Sequence, residues 1–279
     1  MKTVFMFPGQ GSQSLGMGDE LFARYPELVA EADSILGYSI KDLCLKDPDG
    51  MLRRTDFTQP ALYIVNALSF LAKTEDGGAI PDYVIGHSLG ECSALFAAGA
   101  FDFATGLKLV KKRGDLMNAA TGGGMAAILG MDGDAVSRAL AELGADSIDI
   151  ANFNSPRQTV ISGMKADIEK FAPQMMEKGA RKAVILPVSG AFHSRYMKAA
   201  ADEFGLFLSG FAFGSLKIPC IANCSAKPYT DDAIASNLVR QIFSSVLWID
   251  TIRGLRQNGA GNFIEVGPGT VLSGLVRQI

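Results

Sequence analysis

The sequence predicts an α/β fold on three observations. Gly86-His87-Ser88-Leu89-Gly90 stands between a short apolar run, Asp82 to Ile85, and an Ala-rich helical stretch, Glu91 to Ala98. That is the pattern of a nucleophile elbow, G-x-S-x-G on a strained strand-to-helix turn. A second apolar strand, Thr3 to Phe7, also runs into a Gly-rich turn and a helix. Between residues 125 and 186 the order changes to β-α-β-β-α-β, the split βαβ of ferredoxin-like folds. Together these predict a large α/β-hydrolase-like domain, residues 1–123 and 188–279, with a small ferredoxin-like subdomain, 124–187, inserted in it.

Each element has its own warrant. Thr3 to Phe7 is apolar enough for a buried strand, and Pro8 to Gln13 is its turn. That turn has no Gly-Lys-Ser/Thr and no G-x-G-x-x-G, so it does not read as a phosphate loop. A turn that brings backbone amides toward a substrate is the simpler reading. A helix is expected from about Gly18 to Leu36, and another from Asp56 to Lys73, where Leu62, Val65, Leu68 and Leu71 share a face. Phe101 to Met117 follows the elbow as a helix. Thr121-Gly122-Gly123-Gly124 then reads as a flexible joint. In the inserted unit, strands are expected at 125–130, 147–151, 158–162 and 181–186, and helices at 132–143 and 165–178. The main domain resumes near Pro187. A helix follows His193, a strand lies at 217–222, helices run over 232–243 and 249–257, and a last buried strand, 262–266, ends at Gly267-Pro268-Gly269. The chain stops soon after a helix starting near Thr270, as expected of a C-terminus trimmed or cut from a longer protein.

The chemistry is narrowed by a scarcity: the chain has only two histidines. A serine hydroxyl needs a base, most often histidine. His87 precedes Ser88 in the turn, and successive side chains on a strand point to opposite faces. His193 is therefore the base expected for Ser88. The oxyanion of an acyl transfer needs donors, and the N–H of the residue after the nucleophile, Leu89, is the usual first one. The Gln10 turn is the natural second. No acid of a triad is evident from spacing; Asp146 and Asp149 fall in the inserted unit and read as surface carboxylates.

Bulk properties exclude other classes. A net charge of −3 and a pI near 5.5 argue against a nucleic-acid surface. No run of 18 apolar residues is present for a membrane span, and Met1 to Phe7 is too short for a signal peptide. Cys220 and Cys224 have metal-like spacing but no further ligand nearby, so buried thiols are expected, and no metal. Few cysteines and no export signal point to a reducing cytoplasm.

Seven segments, in order, resemble one family. They are Phe7 to Gln13, Thr58-Gln59-Pro60-Ala61, Gly86 to Glu91, Lys112-Arg113-Gly114, Asn154-Ser155-Pro156, Gly190-Ala191-Phe192-His193 and Glu265 to Gly269. The chain resembles the malonyl-CoA:acyl carrier protein transacylases from about residue 3 to 276, and most of all the stand-alone acyltransferases that serve polyketide synthases in trans. The resemblance implies malonyl transfer from malonyl-CoA to the phosphopantetheine thiol of an acyl carrier protein, with malonyl-CoA as substrate and no cofactor. Ser88 would carry the malonyl ester and His193 would be base, then acid. Backbone amides of Gln10 and Leu89 would form the oxyanion hole, and a carbonyl at Gln241 would orient His193. Arg113 would grip the malonyl carboxylate, while Gln59, Asn152 and Asn154 would line the cleft. Phe192 would exclude a branch methyl; Gly190 departs from the histidine usual at the start of that motif. The resemblance leaves fatty-acid and polyketide pathways both open. Two alternatives remain: an acyl hydrolase that clears carriers, against which Arg113 argues, and a catalytically silent carrier-docking module, against which the intact Ser88, His193, Gln10 and Arg113 argue.

Overall fold

Four consecutive buried residues, Val4 to Phe7, lie at the centre of the molecule. They form the end of β1 (Lys2–Phe7) in the computed structural model, which describes residues 1–75, 77–78 and 80–279. The chain continues through α1 (Asp19–Arg24), α2 (Pro26–Leu36), α3 (Ile40–Leu45), α4 (Thr55–Glu75), β2 (Tyr83–Gly86), α5 (Gly90–Ala98) and α6 (Phe103–Ala119). Then come β3 (Gly123–Leu129), α7 (Gly133–Glu142), β4 (Asp149–Ser155), β5 (Gln158–Met164), α8 (Lys165–Glu177) and β6 (Lys182–Ile185). The last stretch holds α9 (Lys198–Leu208), α10 (Ile234–Ile242), α11 (Trp248–Gln257), β7 (Ala260–Glu265) and α12 (Val271–Val276).

The strands form two sheets. β1 lies between β2 and β7, parallel to both. A parallel strand is apolar on both sides because helices cover both. Phe5 and Phe7 face a core shared with α4, α5 and α6, whereas Val4 and Met6 face Trp248, Ile252, Leu255 and Leu272 of α11 and α12. The second sheet is antiparallel, in the order β4-β5-β3-β6. It has its own core, built from Ala126, Ile128, Val136, Leu140, Ile161, Ile168 and Phe171. Its far edge is stitched to the other layer: Phe153 N–H donates to Val246 O (3.0 Å) and Val246 N–H to Ala151 O (2.8 Å).

Several expectations are corrected. The helix expected over 18–36 is two helices, because Pro26 lacks the N–H that would continue α1 and instead opens α2 at its first position. The strand expected at 217–222 is reduced to isolated bridges, Val84 with Cys220 and Ile221 with Pro228; Pro219 and Pro228 have no N–H for a ladder. Gly123 and Gly124 are not a joint but the first residues of β3, paired with Met164 and Gly163. Glycine is needed at 123 for closeness: a Cβ there would lie 2.0 Å from Ala191 N. β4 runs on past Ala151 to Ser155, which puts Asn152 and Asn154 on a strand. Helix α3 was not expected; its signal is Ser39, whose Oγ accepts from Asp42 N–H at 3.2 Å.

Candidate active site

The turn from β2 to α5 is strained at Ser88, whose φ is 51°. Left-handed backbone costs a non-glycine residue free energy and persists only where neighbours impose it. Here the neighbours are identifiable. Ser88 N–H donates to Asn223 Oδ1 (2.8 Å), and Asn223 Nδ2 donates to Gly86 O (2.7 Å), so one side chain ties the turn at two points. The glycines at 9 and 90 let a second turn press on it. A Cβ on Gly90 would lie 2.0 Å from Phe7 O, and one on Gly9 would lie 2.3 Å from His87 O. The Gln10 turn is thus seated against the elbow, with the Leu89 amide opening α5 beside it. Gln10 Nε2 itself reaches Thr55 Oγ1 at 3.3 Å.

His193 also has left-handed backbone, with φ 57°. Its Nδ1 lies 2.9 Å from Gln241 O and its Nε2 2.7 Å from Ser88 Oγ. A carbonyl can only accept, so Nδ1 carries the proton and Nε2 presents a lone pair to the Ser88 hydroxyl. Burial, and then the nearby Arg113 cation, push the imidazole down to about 3. The ring is therefore neutral at physiological pH, the form able to take a proton.

Arg113 on α6 is not a surface cation: only 1% of it is exposed. Nη1 donates to Gln59 Oε1 (2.7 Å) and Nη2 to Gln241 Oε1 (2.8 Å), and Nη2 stands 3.4 Å from Ser88 Oγ. Its Nε–H has no partner among the described residues. A buried guanidinium with only neutral acceptors and a spare donor is suited to a carboxylate, which it can bind with paired hydrogen bonds. Gln59 is buried, and its side chain fixes the guanidinium.

The remaining expected residues are spread wider. Asn154 Oδ1 meets His87 Nε2 at 2.8 Å, so His87 links the elbow to β4 instead of serving Ser88. Its ring also packs on Trp248. Asn152 is buried on β4 and bridges to Val246 through its backbone. Phe192 is buried, its ring over Gly190, where a Cβ would lie 2.3 Å from Phe192 Cε1. Asp149 is a surface carboxylate paired with Arg195. All four cysteines are buried and free, and no cluster of metal-ligating residues exists among the described residues. No helix among them is long and apolar enough to cross a membrane.

Sequence reasoning missed four contributions: Asn223, Tyr229, Glu91 and the side chain of Gln241. The last is a hub. Its Nε2 donates to Ser88 O (2.6 Å) and Glu91 Oε2 (3.2 Å), while its Oε1 accepts from Arg113. Glu91 is fully buried and also accepts from Tyr229 Oη and, at 3.0 Å, from Asn223 N–H. A glutamate in an otherwise apolar, Ala-rich helix was the available signal, since a buried charge requires partners. Two cavities lie in this region, one touching His193 and the other reaching only Thr55, the partner of Gln10. One of about 460 Å³ is lined by His193, Arg195, Arg240 and Phe243. The other, about 690 Å³, lies between Arg53, Arg54 and Thr55 on one side and Gly124, Lys165 and Ser189 on the other.

Fold and site together define an α/β protein with a serine on a strained strand-to-helix turn, a histidine from a separate loop hydrogen-bonded to it, and a buried cation beside the serine. Residues 4–278 match the acyl transferase domain family, and the chain belongs to it. It is 55% identical, over 99% of its length and 96% of the relative's, to the polyketide biosynthesis malonyl CoA-acyl carrier protein transacylase BaeC of Bacillus velezensis. It is similar to the solved malonyl CoA-acyl carrier protein transacylase of Burkholderia pseudomallei, with TM-score 0.95 and 47% identity, covering 100% of this chain and 97% of that one. A malonyl-transacylase solved in complex with its type II polyketide synthase acyl carrier protein is also similar, with TM-score 0.95, 38% identity, and 100% and 93% coverage.

Proposed function

We infer that the chain is a malonyl-CoA:acyl carrier protein transacylase that works by ping-pong through a malonyl ester on Ser88. The observation that carries this is the placement of Arg113 Nη2 3.4 Å from Ser88 Oγ, beside the 2.7 Å contact of Ser88 with His193. Few acyl groups give a buried cation a purpose at that point; one that ends in a carboxylate does.

Arg113 takes the malonyl carboxylate. Ser88 Oγ attacks the thioester carbonyl while its proton passes to His193 Nε2. The carbonyl oxygen, now negative, lies against the amides of Gln10 and Leu89, and each such donor is worth about 10² to 10³ in rate. The C–S bond breaks, the CoA sulfur takes the proton from His193, and malonyl stays as an ester on Ser88. In the second half the pantetheine thiol of the carrier gives its proton to His193 and attacks that ester; Ser88 leaves and recovers the proton. Gln241 O steadies the imidazolium in both halves. The malonyl carboxylate, by offsetting Arg113, also relieves one of the causes that depress His193. Phe192 beside the dyad sets pocket size, and Asn152 and Asn154 shape the cleft wall.

The domain division follows the same reading: residues 1–123 and 188–279 as an α/β-hydrolase-like catalytic unit, and 124–187 as a ferredoxin-like subdomain, the latter supported by the strand order β4-β5-β3-β6. No cofactor is needed, since the chemistry is complete in serine, histidine and backbone amides. The setting is the cytoplasm, where carriers and CoA thioesters meet.

Competition decides the substrate. The protein is mixed with equimolar malonyl-, methylmalonyl- and acetyl-CoA and its intact mass is measured. A predominant malonyl adduct is expected. Rapid release of free malonate without a carrier would favour the hydrolase instead.

A further inference from the structure

Arg113 is a full charge, 1% exposed, whose direct partners are all neutral, two amides and the Ser88 hydroxyl. The nearest buried carboxylate is Glu91, one amide away: Arg113 Nη2 donates to Gln241 Oε1, and Gln241 Nε2 donates to Glu91 Oε2 at 3.2 Å. Glu91 lies in the first turn of α5, the helix that begins just after the nucleophile. We propose that Glu91 is the charge-balancing residue of this site, a positioning residue that acts through Gln241 to set how much of the Arg113 charge is offered to the acyl carboxylate, and hence the preference for carboxylated over uncharged acyl groups. The proposal rests on the malonyl reading above.

The physics is a three-charge problem in a dry pocket. With Glu91 ionised, the empty site is neutral, and the incoming malonyl carboxylate adds a second anion around one cation. With Glu91 protonated, Arg113 is uncompensated and malonyl restores neutrality. Opposite charges at such distances stabilise one another far more strongly inside a protein than in water. Binding of the carboxylate therefore goes with uptake of one proton by Glu91.

Glu91 can switch within the working range, and its surroundings cannot. Burial pushes its carboxyl up to about 7, against the hydrogen bonds from Tyr229, Asn223 and Gln241 and the Arg113 charge, which pull it down. The titratable groups facing it come from three elements. Tyr229, Cys220 and Cys224 lie on the segment between α9 and α10, Cys92 on its own helix, and Arg113 on α6. Burial raises the Tyr229 hydroxyl and all three thiols, Cys92 to about 12, which keeps them neutral. The Arg113 guanidinium stays charged throughout. His193, pushed down to about 3, stays neutral above pH 5.

Glu91→Gln isolates the charge. The amide oxygen can take the place of Oε2 and keep both N–H donors. The new NH₂ then faces the Tyr229 hydroxyl, which accepts as readily as it donates. The test is the ratio of kcat/KM for malonyl to that for acetyl, transferred to a carrier protein between pH 6 and 8.5. The acetyl reference cancels ionisation of the carrier thiol. In the parent the ratio is expected to fall with rising pH by on the order of tenfold, as one-proton linkage requires. In Glu91→Gln it should stay flat at the parent's low-pH value. Tyr229→Phe removes one donor from the ionised carboxylate, so its midpoint should move to higher pH. A Glu91→Gln protein that keeps the parental fall, or loses both activities equally with the ratio unmoved, overturns the proposal. If Glu91→Gln does not fold, an unmoved midpoint in Tyr229→Phe overturns it. A parent that prefers malonyl with a pH-independent ratio sinks the Glu91 proposal alone, whereas a parent that transfers no malonyl at any pH sinks the malonyl reading.

Discussion

Ser88 and His193 share one proton, so their losses should not add. Ser88→Ala is expected to form no acyl adduct, and His193→Ala to slow acylation severely; the double variant should be no worse than Ser88→Ala, as for residues acting as a unit. Acylation followed by intact mass checks all three. Arg113 tests the substrate. Removing one partner of a buried charge pair costs on the order of 3–5 kcal/mol, so Arg113→Ala should collapse malonyl transfer. Acetyl transfer should hold or rise, because acetyl brings no carboxylate to an uncompensated pocket. Arg113→Lys should recover only part, since an ammonium lacks the fork of the guanidinium. Steady-state transfer of each acyl group to a carrier measures both. His193 adds a pH prediction. Its ordinary value is 6.5, and burial holds it near 3 in the fold. The unfolded chain therefore binds the extra proton between those values, and stability is lost as pH falls through that window. Thermal melts from pH 7 to 4 should show a smaller acid-induced drop for His193→Gln than for the parent.

Among the elements, the loop that carries His193 is the one to perturb. Phe192 packs over Gly190 immediately before the left-handed histidine. Phe192→Ser should admit a branch methyl. One methyl in an apolar pocket is worth about 1–3 kcal/mol, so the methylmalonyl-to-malonyl ratio should rise by roughly 10- to 200-fold at most. Competition between the two CoA esters measures it, and an unmoved ratio would remove Phe192 from the gate. Elements defined by local chemistry were legible in the sequence: the elbow from its glycines, α4 from its apolar face, and each member of the β-α-β-β-α-β run within a few residues. In two of the places where reading failed, a proline decided. Pro26 splits a helix, and Pro219 and Pro228 leave bridges where a strand was expected.

At the scale of the whole molecule, the site exists because distant segments converge on one turn. Gln59, Ser88, Arg113, His193 and Gln241 come from four helices, or the turns beside them, and one loop, yet a continuous set of hydrogen bonds joins them. Individual side chains such as Ser88 could be singled out in the sequence because their chemistry is rare. The Gln241 amide and Asn223 could not be read that way, because their roles depend on which long-range neighbours meet them. The two sheets are held together at the same place, by β4 against Val246 and by Asn154 against His87. The central claim, a malonyl ester on Ser88 that is passed to a carrier, has one direct test. The protein is charged with malonyl-CoA, freed of CoA, and mapped by peptide mass before and after addition of a carrier protein bearing phosphopantetheine. The account predicts one malonyl group on the peptide containing Ser88, lost from it and gained by the carrier in equal amount. A malonyl group on any other residue, or one that leaves Ser88 only as free malonate, would contradict it.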